Sequence, residues 1–284
     1  VHRGPLIRDS LKLQNICLPD PADRLAWLAQ HLPFLPGSGI VYTLTQRDAE
    51  RVAEWLRING VTAEAYHAQI ESEENGSAHR REELEKALLD NRIKALVATV
   101  ALGMGFDKPD LGFVVHYQRP GSVVHYYQQV GRAGRAVDEA FGILLGGEED
   151  DEIVDYFIRT AFPPLAHVQE ILEALDRAAG GLTVRELESH VNLRNGDIIK
   201  AIKFLSAEDP SPVVKQGTRW ITTPVRYRGD PDRVGRIVEL RRAEQREMQE
   251  YLHSGECLMR FLARRLDDPH PHPRLWGAFA RVLG

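Results

Sequence analysis

The sequence contains only two cysteines, Cys17 and Cys257, and no long run of apolar residues. Two cysteines far apart in sequence exclude a disulfide-rich scaffold and are typical of a reducing compartment. No stretch approaches the roughly eighteen apolar residues that cross a bilayer, and the first residues lack the charged head and apolar core of a signal peptide. Internal repeats and low-complexity tracts are also missing. We therefore expect a cytoplasmic protein with no membrane partner.

Positive charge is slightly scarce, since 36 Lys and Arg residues face 41 Asp and Glu residues, for a net charge of −5 at pH 7. An acidic total argues weakly against a nucleic-acid binder, but the distribution of charge matters more than the sum. Residues 215–246 hold nine basic and four acidic residues. This concentration indicates either a solvated surface or a patch that contacts phosphates.

Between Gly39 and about Leu145, apolar runs alternate with amphipathic stretches. The runs “GIVYTL”, “TAEAYH”, “KALVATV”, “FVVHY” and “AFGILL” have the composition of strands, and “KALVATV” is apolar enough to be buried on both faces. The stretches “AERVAEWLRING”, “RREELEKALLDN” and “SVVHYYQQVGRAGR” are helical in pattern. Strands that alternate with helices predict βαβ units, and hence an α/β fold with a parallel sheet covered by helices.

After the “PP” at 163–164 the pattern changes. Three helical stretches follow, “LAHVQEILEALDRAAGG”, “TVRELESHV” and “RNGDIIKAIKFLSAED”, and Thr183 with Glu186 has the spacing of a capping box. Two short β runs, “PVVKQG” and “TRWITT”, predict a hairpin. Three helices followed by a hairpin are typical of a winged helix. A long polar helix up to Gly255 and a shorter one over 256–266 complete the pattern.

The stretch “YYQQVGRAGR” (126–135) places Arg132 and Arg135 three residues apart. On a continuous helix, both side chains would lie on one face. Guanidinium groups are always charged and bind phosphate or carboxylate oxygens in a fork, while Gly131 and Gly134 leave the backbone open to a close approach. The pair is therefore a candidate anion site, and two solvated surface arginines are the alternative.

Three ordered stretches over residues 38–145 carry a more specific signal. They are “IVYTLTQRDAE” with “YHA” after it, “ATVALGMGFDKP” followed by “VVHY”, and “QQVGRAGR” in the pattern Q-x-x-G-R-x-G-R. In this order they closely resemble motifs IV, V and VI in the second RecA-like domain of superfamily 2 helicases, and of the RecQ branch in particular. Two positions depart from the family pattern, since Gln46 stands where an arginine is usual and Gln69 replaces the glycine of “YHAGL”.

The resemblance implies an ATP site shared between two RecA-like domains. In such helicases motif VI supplies arginine fingers, which stabilise charge on the transferring γ-phosphoryl group. Arg135 is implied as the first choice for the finger and Arg132 as the second. Contacts with the nucleotide are implied for Gln128, Gly103, Gly105 and Asp107. Contacts with the nucleic-acid backbone are implied for Thr45, His67 and Thr99.

Several of these residues also fit plain structural roles. Thr99 fits a β-branched strand residue, and the glycines fit turns. His67 and His116 fit buried histidines that are hydrogen-bonded at strand ends, which we favour over a chemical role.

Two motifs that an active helicase of this type needs are missing. Neither a phosphate-cradling “GK[ST]” loop nor a D-E-x-H box occurs in the 284 residues. The first residues, “RGPLIRDSLKLQN”, resemble the connector that leads out of the first RecA-like domain. We therefore expect the C-terminal part of a helicase whose N-terminal RecA-like domain is absent. ATP and Mg²⁺ are implied for the full-length parent, and this chain alone is expected to be inactive.

The predicted winged helix offers a second candidate contact with DNA. Basic residues, which hold phosphates, lie on its third helix and at its hairpin. They are Arg194, Lys200, Lys203, Lys215 and Arg219. Trp220, just past the turn, fits either a wedge at a duplex end or, as we favour, the core side of the hairpin. A protein-docking module is the alternative, and the order of winged helix and helical hairpin is the reverse of that in bacterial RecQ proteins.

The zinc site of RecQ proteins is not expected here. Cys257 in “ECLMRFLARRL” matches the first ligand of the family. Apolar residues occupy the places of the other three, namely Trp276, Phe279 and Val282. Zinc needs four ligands, so we expect an apolar cluster to hold the hairpin instead. A rival set of ligands comprises Cys257, Asp267, His270 and His272.

Together these patterns predict a connector (1–37), a RecA-like domain (38–160), a winged helix (165–228) and a helical hairpin (231–284). The resemblance implies an ATP-dependent helicase that moves 3′→5′ on single-stranded DNA, contacts duplex junctions and serves DNA repair and recombination, associated with a bacterial nucleoid. Two alternative functions are kept. One is a non-catalytic DNA-binding or regulatory module with a RecA-like shell, and the other, which the motif wording favours less, is an RNA helicase.

Overall fold

The computed structural model describes residues 9–70, 78–102, 106–147 and 149–268. The chain divides into two compact units. The first comprises Val1–Val154 together with Ala243–Gly284, and the second comprises Asp155–Arg242. No helix within the described ranges is long and apolar enough to cross a membrane.

A parallel sheet of six strands forms the centre of the first unit. Its strands are β1 (Leu11–Cys17), β2 (Gly39–Tyr42), β3 (Ala63–Tyr66), β4 (Ala95–Ala98), β5 (Phe113–His116) and β6 (Ala140–Gly146). In space their order is β1-β6-β5-β2-β4-β3, and every neighbouring pair is parallel. β2, β4 and β5 are buried along their whole length, which explains their apolar sequences.

Helices cover both faces of this sheet. The helices of the first unit are α1 (Pro21–His31), α2 (Gln46–Ile58), α3 (Ala78–Leu89), α4 (Val123–Val130) and the start of α5 (Glu149–Arg159). α1 and α2 share one apolar core with the sheet, whereas α3, α4 and residues from the 243–268 segment share another. The predicted fold class, an α/β RecA-like parallel sheet covered by helices, is confirmed.

Residues 1–37, predicted to be a connector, contribute a strand and a helix to this unit. β1 pairs with β6 along all seven of its residues. α1 then packs on the sheet through Trp27 and Leu28. β1 was not predicted as a strand, because “LKLQNIC” contains polar residues. An edge strand tolerates them since it is only partly covered.

The helix predicted for “SVVHYYQQVGRAGR” is shorter in the structure. α4 ends at Val130, and Gly131 is its C-cap. Gly134 has a φ of +74°, a left-handed conformation that a continuing helix cannot contain. Arg132 and Arg135 therefore lie in the turn after α4 and not on one helical face, which corrects the prediction.

Three helices and an antiparallel hairpin share the apolar core of the second unit. They are α6 (Leu165–Arg177), α7 (Val184–His190), α8 (Asn195–Ser206), β7 (Val213–Gln216) and β8 (Arg219–Thr222). The predicted capping box is confirmed, because the Thr183 hydroxyl accepts from the Glu186 N–H at 3.2 Å and the Glu186 carboxylate accepts from the Thr183 N–H at 2.8 Å. Trp220 packs against this core. The winged-helix assignment stays a prediction.

Two helices follow, α9 (Pro231–Leu252) and α10 (Leu258–Arg265). The first part of α9 belongs to the second unit, whereas its last turns and α10 belong to the first. α10 packs against β1 and α4. The compact units thus divide the chain after Arg242, whereas the sequence predicted a separate segment over 231–284.

Candidate nucleotide and nucleic-acid site

Arg135 is the more accessible of the two candidate finger arginines. Its Nη1 donates to Oδ1 of Asp107 at 2.8 Å, in an ion pair whose side chains are 39% and 57% exposed. A surface ion pair of this kind contributes about 0–1 kcal/mol, so the guanidinium can exchange Asp107 for another oxyanion at little cost. The fold thus brings together two residues that the sequence assigned to the nucleotide.

Arg132 is half-buried beside the sheet. Its Nη1 donates to the carbonyl oxygen of Phe106 at 2.9 Å. Its guanidinium also neighbours the hydroxyl of Tyr42 on β2. Burial raises the pKa of Tyr42 to about 12, and the arginine's charge and hydrogen bond offset part of that rise. Arg132 is therefore the more restrained of the pair, and it ties the turn after α4 to the sheet.

The loop after β4 holds further nucleotide and DNA candidates. Thr99 is buried, and its Oγ1 accepts the backbone N–H of Ala101 at 3.3 Å. Gly103 and Gly105 lie outside the described residues. Gln128 is exposed on α4. The Thr99 hydroxyl shapes the start of this loop, and its contact with nucleic acid stays a prediction.

Thr45 caps the N-terminus of α2. Its hydroxyl accepts the backbone N–H of Asp48 at 3.0 Å and donates to the Asp48 carboxylate at 2.6 Å. Gln118 donates to the same carboxylate at 3.0 Å and accepts the N–H of Leu44 at 2.8 Å. An N-cap of this type contributes about 1 kcal/mol, so Thr45 has a structural task beside its predicted contact with DNA.

The two candidate histidines are buried at strand ends. His67 follows β3, and its Nε2 lies 2.7 Å from Oε1 of Glu50. His116 ends β5, and its Nε2 lies 2.7 Å from Oε1 of Gln129. Burial lowers the pKa of His116 to about 4, so this ring is neutral at physiological pH. These contacts agree with the structural interpretation of both histidines.

The basic candidates of the second unit differ in their contacts. Arg219 donates to the Gly181 carbonyl oxygen and to the Glu186 carboxylate, at 2.7 Å each, so it braces the unit. The other candidates are Arg194, Lys203 and Lys215, which are exposed, and Lys200, which is half-buried. The exposed positive charges suit contacts with phosphates.

A buried charged cluster escaped the sequence analysis. Arg24 and Asp150 are both 0% exposed, and Arg24 Nη1 lies 3.1 Å from Asp150 Oδ1. Arg24 also pairs with Glu149, and Arg119 pairs with Asp151. Burial raises the pKa of Asp150, and the charge of Arg24 offsets part of the rise. The run “GGEEDDE” has the composition of a solvated turn, and nothing local shows that Asp150 faces an arginine 126 residues away.

Metal ligands do not cluster in the part of the chain that the structure describes. No three His, Cys, Asp or Glu side chains there are close enough to hold an ion. Cys257 is exposed at the N-cap of α10, and Asp267 is exposed beyond its end. His270, His272, Trp276, Phe279 and Val282 lie outside the described residues. That zinc is not held therefore stays a prediction.

Comparisons with known proteins find helicases that are similar to this chain. The helicase conserved C-terminal domain matches residues 25–137, a range that contains Arg132, Arg135 and Asp107. The ATP-dependent DNA helicase RecQ of Synechocystis sp. is 30% identical over 251 residues, which cover 86% of this chain and 48% of that protein. Residues 25–137 thus match a helicase C-terminal domain, and the chain is similar to RecQ-like helicases. The predicted resemblance to the RecQ branch is thereby confirmed.

Other RecQ-like helicases match over shorter ranges. The ATP-dependent DNA helicase Q1 of Pongo abelii is 45% identical over 113 residues, which cover 40% of this chain and 16% of that protein. Among solved structures, the DEAD-box protein SrmB of E. coli aligns with 53% of this chain and 84% of that chain, at 25% identity and a TM-score of 0.42. The chain thus spans about half the length of the Synechocystis relative and 16% of the Q1 helicase.

Proposed function

We propose that this chain is the second half of an ATP-dependent, 3′→5′ DNA helicase motor whose P-loop domain lies outside residues 1–284. The observation that carries the proposal is the Arg135–Asp107 pair, an exposed and weakly paired guanidinium on the turn that resembles motif VI. The RecQ and Q1 relatives are named ATP-dependent DNA helicases, which supports the choice of ATP and DNA. Without the P-loop domain the chain is expected neither to hydrolyse ATP nor to unwind DNA.

In the proposed site, Arg135 exchanges Asp107 for the nucleotide. A guanidinium group forms two charge-assisted hydrogen bonds with phosphate oxygens. As the γ-phosphoryl group passes to water, negative charge is stabilised by this contact, and an arginine finger contributes about 10³–10⁵ in rate. Mg²⁺, which neutralises the phosphates, is assigned to the D-E-x-H box of the other domain. Arg132 donates to the Phe106 carbonyl oxygen, lies beside Tyr42 and keeps the turn in place.

DNA contacts in this proposal come from both units. Thr45 and Thr99 lie in the first unit, and their hydroxyls suit phosphates, which position a helicase without reading sequence. The exposed basic residues of the second unit add charge for the backbone, namely Arg194, Lys203 and Lys215. Salt-dependent binding without sequence preference is the expected behaviour.

The test measures DNA-stimulated ATP hydrolysis after the chain is joined to its P-loop domain. Arg135→Ala is expected to lower kcat by at least about a hundredfold, equivalent to about 2.7 kcal/mol, while DNA affinity persists. Arg92→Ala is the matched control, because Arg92 is also an exposed arginine of the first unit in a surface pair, with Asp90. This control is expected to hydrolyse ATP at the wild-type rate.

The opposite pattern would identify the rival function. If Arg135→Ala hydrolyses ATP at the wild-type rate but binds DNA more weakly, the arginines contact nucleic acid and the chain is a DNA-binding module with a RecA-like shell.

A further inference from the structure

A line of buried aromatic rings crosses the first unit from β2 to α10. The rings belong to Tyr42, His116, Tyr126, Tyr251 and Phe261, and none of these residues is more than 4% exposed. Successive ring centres are 5.3, 4.8, 4.9 and 5.4 Å apart. Aromatic pairs at such distances contribute about 0.5–1.5 kcal/mol each beyond burial, so the line is a continuous and stiff contact.

α4 lies in the middle of this line. Its Tyr126 packs against His116 of the sheet on one side and against Tyr251 of α9 on the other. Gln129, one turn further along α4, contacts Nε2 of His116 through its Oε1 at 2.7 Å. The position of α4 is therefore set jointly by the sheet and by the C-terminal segment.

One end of the line reaches the candidate arginines. Arg132 follows the end of α4 by two residues, and its guanidinium neighbours the hydroxyl of Tyr42, the first ring of the line. Arg135 belongs to the same turn, which Gly134 closes in a left-handed conformation. A shift of α4 would therefore move both arginines together.

The other end of the line is fixed to the edge of the sheet. Nδ2 of Asn15 on β1 donates to the carbonyl oxygen of Tyr251 at 2.6 Å. Leu252 packs over Gly146 at the end of β6 so closely that a Cβ there would come within 2.5 Å of its Cδ2. Gln249 donates to the Asp151 carboxylate at 2.8 Å. These contacts place the Tyr251 ring against Tyr126 and leave it little freedom.

We propose that Tyr251 is a positioning residue for ATP hydrolysis, which fixes α4 and through it the turn that carries Arg132 and Arg135. The inference rests on the proposed function of these arginines. Its physical basis is that the ring fills the space on the outer side of α4, and truncation of a buried ring leaves a cavity into which neighbouring elements move. A displacement of about 1 Å in a catalytic group costs about a hundredfold in rate.

The first measurement needs no ATP. Hydrogen–deuterium exchange of the 284-residue chain is compared for wild type, Tyr251→Ala, Tyr251→Phe and Leu28→Ala. Leu28 is buried on the opposite face of the sheet, in the core shared by α1 and α2, so it controls for a loss of stability alone. Tyr251→Ala is expected to speed exchange at least about tenfold over 123–135, and Tyr251→Phe to restore the wild-type pattern because the ring is kept.

The second measurement uses the chain joined to its P-loop domain. Tyr251→Ala is expected to lower kcat at least about tenfold while KM for ATP and the affinity for DNA stay within about twofold, and Tyr251→Phe is expected to restore kcat. Tyr251→Leu, which keeps apolar volume, replaces the alanine variant if that one does not fold, with the same expected loss. Arg135→Ala is measured alongside.

These variants distinguish the positioning role of Tyr251 from the proposed function of the chain. If Tyr251→Ala lowers kcat no more than Leu28→Ala does in the same joined chain, while Arg135→Ala is slow, the positioning role is overturned and the motor stands. If Arg135→Ala itself hydrolyses ATP at the wild-type rate, the proposed function is overturned and the positioning role with it. Faster exchange over 123–135 with an unchanged kcat also overturns the positioning role, because α4 would then move without effect on the reaction.

Discussion

Arg132 and Arg135 lie three positions apart and have opposite surroundings. Arg135 forms an exposed pair with Asp107, whereas Arg132 is half-buried beside Tyr42 and donates to the Phe106 carbonyl oxygen. A residue that stabilises negative charge only in the transition state acts best when its ground-state contacts are weak. Strong contacts would have to be broken before it could bind that charge. The residue-scale difference therefore favours Arg135 as the finger and Arg132 as its support.

His116 makes stability depend on pH. Burial lowers its pKa from 6.5 to about 4, so the unfolded chain binds a proton at this residue before the folded chain does. The contribution of His116 is fully present above about pH 6.5 and declines as pH falls toward 4. The free energy of unfolding is expected to fall by about 2 kcal/mol from this source between about pH 7.5 and pH 5.

Urea unfolding at the two pH values checks this prediction. His116→Phe, which keeps a ring between Tyr42 and Tyr126, is expected to lose this part of the pH dependence. His190→Gln is the control, since it replaces an exposed histidine of the second unit, outside the aromatic line. An identical fall in His116→Phe and wild type would contradict the prediction.

At the scale of elements, the turn after α4 depends on one glycine. Gly134 has a φ of +74°, and a Cβ there would lie 3.0 Å from Oγ of Ser10, whose hydroxyl donates to the Gly134 carbonyl oxygen. Gly134→Ala is expected to lower the free energy of unfolding by about 1–2 kcal/mol in urea titrations. Gly121→Ala, where the same methyl meets open space, is expected to change it by less than about 0.5 kcal/mol. Equal losses would show that backbone strain is not the cause.

Elements with a strong hydrophobic period were predictable from sequence, whereas the edge strand β1 was not. β2, β4 and β5 are central strands, and their apolar runs signal burial on both faces. β1 is an edge strand with polar residues, and its partner β6 lies far along the chain, so local pattern does not reveal it. The end of α4 was missed because the sequence “GRAGR” permits either a helix or a turn, and the left-handed Gly134 decides between them.

The same distinction applies to the candidate site. Motif spacing identified Arg132, Arg135 and Asp107 separately, and the fold supplies the contact between Arg135 and Asp107. The aromatic line and the Arg24–Asp150 pair join residues that are distant in sequence. Such pairs carry no local signature, because a tyrosine on an amphipathic helix or an aspartate in an acidic run looks the same whether or not a partner faces it.

At the scale of the whole molecule, the segment 243–268 completes a core of the first unit. Its buried side chains include Met248, Tyr251, Leu252, Phe261 and Leu262. Full burial of each such side chain stabilises by about 1.5–3 kcal/mol, so the set contributes about as much as the net stability of a typical domain. A chain that ends at residue 242 is therefore expected to lose the cooperative unfolding of the first unit, measured against a chain that ends at residue 268.

Near-UV circular dichroism during a urea titration distinguishes the two truncations. If the shorter chain unfolds at the same urea concentration and as steeply as the longer one, the segment is an appendage and not part of the core. The chain that ends at residue 268 also controls for the shorter length, because it lacks only residues 269–284.

The pairing of β1 with β6 also limits the order in which the sheet can form while the chain is being synthesised. On the ribosome, β1 emerges before the other strands of this sheet and stays without its partner β6 until the intervening residues have been made. α10, which also packs on β1, comes later still. Strands β2, β3, β4 and β5 can associate before then, so the nascent chain passes through a stage with a partly built sheet and an unpaired β1. An unpaired strand edge is a template for wrong pairing, which makes this stage the one at which a chaperone has most to protect.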